Sequence, residues 1–232
     1  MHALGTVPRA KIRRKCDGGS VETNLQQARA RSALSYPLPA EPQTGDGSAV
    51  EVVPGVLWLR MPLSGPLRWI NIWALADEGG WAIVDTGLRS SKTTEAWQRA
   101  FSSSLRGLPV TRVLATHMHP DHCGMAGWIA ERFDVRLWMC RLEYLTCCLM
   151  AADTGRKAPQ EGIGFYRAAG WDQQAIERYK AKFGSFGELT YPMPASYRRI
   201  SDGQMLRVGA HSWTVIVALA ILRSMPACTA PS

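Results

Sequence analysis

A chain of 232 residues can bury one sizeable core, and 46% hydrophobic content with nine tryptophans excludes an intrinsically disordered protein. Six cysteines (Cys16, Cys123, Cys140, Cys147, Cys148 and Cys228) without paired spacing argue against a disulfide framework or a zinc ribbon, so a reducing cytoplasm is the expected compartment. The net charge of +8 is concentrated at the start: residues 1–31 hold seven Lys/Arg against Asp17 and Glu22, which leaves +3 for the rest and disfavours a nucleic-acid enzyme.

The first 30 residues lack the apolar core of a secretory signal, and the longest uncharged apolar run, Val215 to Leu222, is too short to span a bilayer. Residues 1–48, basic and then Gly/Ser- and Pro-rich, read as a disordered lead-in, either a solvated tail or the product of a start codon assigned too early. Order is expected from Ala49. Val50–Val53 and Gly55–Met61 pattern as strands about a Pro54-Gly55 turn, and Ile70–Leu75 alternates as a third. Asp77-Glu78-Gly79-Gly80 then turns the chain back into Trp81–Val84. That strand runs into Asp85-Thr86-Gly87, where a lone acid before glycine is more often a turn residue than a functional one.

A helix is predicted from about Lys92 to Leu105, with Ala96, Trp97, Ala100 and Phe101 on one face. The next strand, Val110–Ala115, breaks into Thr116-His117-Met118-His119-Pro120-Asp121-His122-Cys123-Gly124. His117 and His119 leave an extended backbone on the same side, and Pro120 re-aims Asp121 and His122. Imidazoles plus a carboxylate are the donors that zinc and similar divalent ions prefer. A helix from Met125 to Phe133 and a strand at Val135–Met139 follow, completing an α/β order with polar residues at strand ends. From Arg141 to Phe183 the pattern is helical, broken near Asp153-Thr154-Gly155 and Gly170-Trp171, and Leu142/Leu145/Leu149 are expected to be packing stripes. Tyr144, Tyr166 and Arg167 are candidates for a pocket wall. Tyr197 to Val217 returns to strands, with His211 an ordinary turn histidine.

Val84-Asp85-Thr86-Gly87 followed by His117-x-His119-x-Asp121-His122 resembles the metallo-β-lactamase superfamily over roughly residues 50–217. The resemblance implies an α/β fold, an αββα sandwich, here with its second half incomplete. It further implies a metal-dependent hydrolase, with two zinc ions expected and iron or manganese as alternatives. His117 and His119 would bind the first metal, Asp121 and His122 the second, and Asp85 would steady them from behind. Asp121 would also orient a metal-bound hydroxide. The expected partner is a small ester, thioester or lactone, with neither nucleic acid nor a membrane.

The same resemblance leads one to expect a Gly-His-Ser/Thr-Pro block after Val217, and none is present. Residues 218–232 form an aberrant tail whose permitted codons, read one base out of register from the Leu219/Ala220 junction, spell Gly-His-Ser-Pro-Glu-His. A frameshift product is therefore expected, which the coding DNA decides. The organisation expected is a lead-in at 1–48, a metallo-β-lactamase-like domain at 49–217 with a helical insert at about 141–183, and the tail. Such a chain would keep two ligands per metal, bind zinc weakly and turn over poorly; the alternative is an inactive remnant.

Overall fold

The computed structural model describes residues 42–218 and the backbone of 225–229. Residues 1–41 of the expected lead-in, and 219–224 and 230–232 of the tail, lie outside the described residues.

Seven strands form one sheet in simple sequence order: β1 (Ala49–Val53), β2 (Val56–Pro62), β3 (Trp69–Asp77), β4 (Gly80–Val84), β5 (Val110–Leu114), β6 (Leu137–Cys140) and β7 (Tyr197–Ile200). The first four pair antiparallel, and β4 to β7 run parallel. Where hairpins suffice the turns are tight: Glu78 and Gly79 alone join β3 to β4, and Gly79 sits at φ +75°, open to glycine without strain. Parallel neighbours need crossovers, and helices supply them. α1 (Ser91–Ser102) links β4 to β5. α2 (Pro120–Cys123) and α3 (Ala126–Phe133) link β5 to β6, and α4 (Arg141–Ala152), α5 (Gln160–Ala168) and α6 (Gln173–Lys182) precede β7. A second sheet is built from β8 (Met205–Val208), β9 (His211–Ala218) and β10 (Met225–Thr229), ordered β10-β9-β8. Part of the expected tail is thus the strand β10.

The helices cover one face of the large sheet. Ser90 caps α1 by accepting the Thr93 N–H, which turns Thr93, Ala96, Trp97, Ala100 and Phe101 inward. They meet Leu59, Met61, Ile72, Ile83, Val113, Ile129 and Leu137, all at 0–1% exposure. The other face meets the second sheet through Val56, Leu75, Ala82, Leu114, Ile200, Leu206, Val208 and Val215. Asp77 bolts the two sheets together: Gly209 N and Thr111 Oγ1 donate to its carboxylate, and Arg112 lies 2.7 Å from it. Burial alone would raise the Asp77 pKa, but these donors prevail and hold it below 3.8.

Two expectations are corrected. Order begins before Ala49, because Ser104 Oγ and Arg99 donate to the carbonyls of Gly47 and Gly45 and seat residues 45–47 on α1. Leu142, Leu145 and Leu149 are not packed but exposed at 51%, 54% and 64%, since α4 turns Glu143, Tyr144 and Cys147 inward instead.

Candidate functional site

Parallel pairing of β4 with β5, Val84 opposite Leu114, brings the carboxyl ends of these strands side by side, where open α/β sheets place their sites. Asp85 N continues the ladder by donating to Leu114 O. Asp85 itself adopts φ +62°, a conformation that aspartate tolerates better than most residues, and this folds its side chain toward the β5 loop. There its carboxylate accepts Thr116 N at 2.8 Å, Thr116 Oγ1 at 2.9 Å and His122 Nδ1 at 2.8 Å.

Main-chain bonds hold the two loops together. Thr86 N and Thr86 Oγ1 both donate to His122 O, and Met125 N donates to Gly87 O. Gly124 permits this seat. A Cβ there would fall 2.7 Å from Gly87 O and 2.8 Å from Arg89 N, so no larger residue fits without parting the loops.

Four of the sequence-predicted residues converge as two facing pairs. His117 Nε2 lies 2.9 Å from His119 Nδ1, and His122 Nε2 lies 3.7 Å from Asp121 Oδ2. The His117 and His122 rings are 4.0 Å apart, which sets the pairs side by side. Thr116 Oγ1 gives its proton to Asp85 and is left to accept from His117 Nδ1 at 2.9 Å. Both His117 and His122 are therefore turned by Asp85, one through Thr116 and one directly, with their Nε2 atoms aimed away from it. His117 is buried at the floor of the site, whereas His119 is exposed.

Their surroundings shift the two imidazoles in opposite directions. Burial, followed by the proximity of His122, pushes the His117 pKa down to about 4, so this ring is neutral at pH 7 with a lone pair available. Burial also acts to lower His122, but the hydrogen bond and charge of Asp85, with the charge of Asp121, outweigh it and raise the pKa above 6.5. A cation at His122 must therefore compete with a proton more than one at His117 does.

Among the described residues no three His, Cys, Asp or Glu side chains form a single group able to hold an ion; the donors come two by two. The 2.9 Å between His117 and His119 is hydrogen-bond spacing, and tetrahedral coordination at about 2.0–2.1 Å per nitrogen would part them to about 3.3 Å. That small opening fits the donor set to zinc. Each pair still leaves a shell of three or four with open positions.

Sequence reasoning missed two contributors. Thr116 could have been noticed as a hydroxyl directly before the first histidine. Glu143, whose Oε2 accepts the Met118 N–H at 2.9 Å, lies 25 residues from its partner and carries no local signal. Tyr144, a candidate for a pocket wall, is buried, stacks on Tyr197 at 3.8 Å and donates to Pro194 O. His211 is exposed at the start of β9, away from the pairs.

A model of the metallo-beta-lactamase superfamily matches residues 65–194, more than half of the chain and inclusive of every residue of the two pairs. The chain belongs to the metallo-beta-lactamase superfamily. Among solved relatives in this superfamily, a beta-lactamase domain protein from Burkholderia ambifaria is 38% identical, with a TM-score of 0.71 over 85% of this chain and 56% of its own. A metallo-beta-lactamase family protein from Thermus thermophilus shares the fold at 23% identity and TM-score 0.54, over 77% of this chain and 56% of its own. An uncharacterized protein of Aquifex aeolicus is 35% identical over 77 residues, 32% of each chain. The chain therefore spans little more than half the length of these two solved relatives, and its match to the curated protein covers about a third of that protein. No helix among its described residues is long and apolar enough to cross a membrane.

Proposed function

We propose that this chain carries the metal-binding half-site of a hydrolase for small esters, thioesters or lactones, with His117 and His119 holding one zinc ion and Asp121 and His122 a second. The observation that carries the reading is the pair of facing donor sets, His117 Nε2 with His119 Nδ1 and His122 Nε2 with Asp121 Oδ2, both oriented by one buried carboxylate. When bound, zinc would lower the pKa of water toward 7 and polarise a carbonyl oxygen. The protein residues do the rest. Asp85 accepts a hydrogen bond from His122 Nδ1 and, through Thr116, holds His117 Nδ1 in the same sense, which would keep the proton on Nδ1 of each ring and leave the Nε2 atoms free to bind. Asp121, the most exposed carboxylate of the group, would orient the attacking water while it holds the second ion.

A second reading, a non-catalytic remnant with an incomplete metal site, is favoured by one observation: each ion would have only two protein donors. Zinc titration of the full chain against a chromogenic chelator tests the first reading. Binding that is abolished in His117→Ala/His122→Ala supports it; wild-type protein that takes up no more zinc than this variant overturns it. Hydrolysis of a thioester and lactone panel, at rates that fall with zinc removal, separates the hydrolase from the remnant.

A further inference from the structure

We propose that Glu143 is a positioning residue for the His117–His119 pair, acting through the peptide between them; the inference rests on the metal-binding reading above. Glu143 is 1% exposed, the only carboxylate among the largest fully buried side chains of the described residues, and it lies in the first turn of α4. Its Oε2 accepts the N–H of Met118, the residue separating the two histidines.

The other end of the same residue is held as well. Cys123 Sγ donates to Met118 O at 3.1 Å, so the backbone linking the two imidazoles is gripped on both sides by buried groups. The topology explains why the grip comes from so far along the chain. β5 and β6 are parallel neighbours, so the start of α4, immediately after β6, stands beside the loop that follows β5. The positive end of the α4 dipole offsets part of the cost of burying the carboxylate. With Met118 fixed, the imidazoles of His117 and His119 leave the backbone at a set separation, and the metal need not organise them. A loop free to rotate at Met118 would have to be ordered on binding, which lowers affinity.

The test compares Glu143→Gln, which keeps an acceptor oxygen, with Glu143→Leu, which fills the space and offers none. Zinc affinity of the full chain is read by chelator competition, alongside thermal unfolding and hydrogen exchange of the Met118 amide. Expected are near wild-type affinity in the Gln variant and a loss of about tenfold or more in the Leu variant. Wild-type affinity in the Leu variant, whatever its unfolding temperature, overturns the proposal, because a merely structural role lowers only stability. Equal loss in both variants also overturns it, since the charge and not the acceptor would then matter. If the Leu variant does not fold, Met118 exchange in wild type decides: strong protection supports the clamp, and exchange as fast as an exposed loop refutes it. Absence of zinc binding by wild type is a separate result that sinks the metal-binding reading itself.

Discussion

The two faces of the seven-stranded sheet are finished to different standards. On the helix-covered face, tryptophan is both packed and satisfied: Trp97 is fully buried, stacks on Phe101 at 5.2 Å and donates from Nε1 to Thr86 O at 2.7 Å. On the face toward the second sheet, Trp213 is half-buried, its Nε1 has no hydrogen-bond partner, and beside it opens an apolar cavity of about 320 Å³ lined by Val56, Trp73, Leu75, Val84 and Thr116. Close packing and satisfied polar groups normally go together in a protein interior. Their joint failure on one face marks where three strands cover a sheet of seven incompletely.

The contrast can be broken or sharpened by measurement. Trp97→Ala is expected to cost about 3–5 kcal/mol in a denaturant melt, from lost contacts, a cavity and the orphaned Thr86 carbonyl. A loss below that of Trp213→Ala would reverse the comparison. Next in size is Asp85→Ala, expected to weaken zinc binding about 10- to 100-fold in a chelator competition, because His117 and His122 lose the group that orients them.

Asp77→Asn is expected to cost about 1–2 kcal/mol at neutral pH, discounted for the partial exposure of Arg112. Its sign with pH follows from a folded pKa held below 3.8. The stabilisation is present above pH 3.8 and is lost as pH falls through the folded value, so wild type and variant should converge in acid. Stability curves that stay parallel down to about pH 2 would contradict this. Smallest is Trp213→Phe, which removes an unpartnered N–H and should change stability by less than about 1 kcal/mol.

Much of this was readable beforehand. The strands, the helix at α1 and the family emerged because apolar alternation, a helical apolar face and a four-residue donor motif are local signals. So did the gathering of His117, His119, Asp121 and His122, since a strand end and a proline fix their directions. Asp85 gained its importance only from the resemblance, because nothing near it in sequence reveals that β4 and β5 are neighbours. Glu143 and the Gly124 seat were invisible for the same reason: contacts between residues so far apart in sequence depend on topology. The exposed stripe of α4 was misread because a helical apolar period names a face without saying whether anything covers it.

The Gly124 seat has a practical corollary. The loops carrying Asp85 and the histidines are joined by peptide groups rather than by the donor side chains, with Thr86 N on His122 O and Met125 N on Gly87 O. Replacing an imidazole therefore subtracts a ligand while the scaffold stays knitted, and alanine at 117 or 122 serves as a sound negative control. Enlarging residue 124 does the reverse, leaving every donor present on a frame that has come apart.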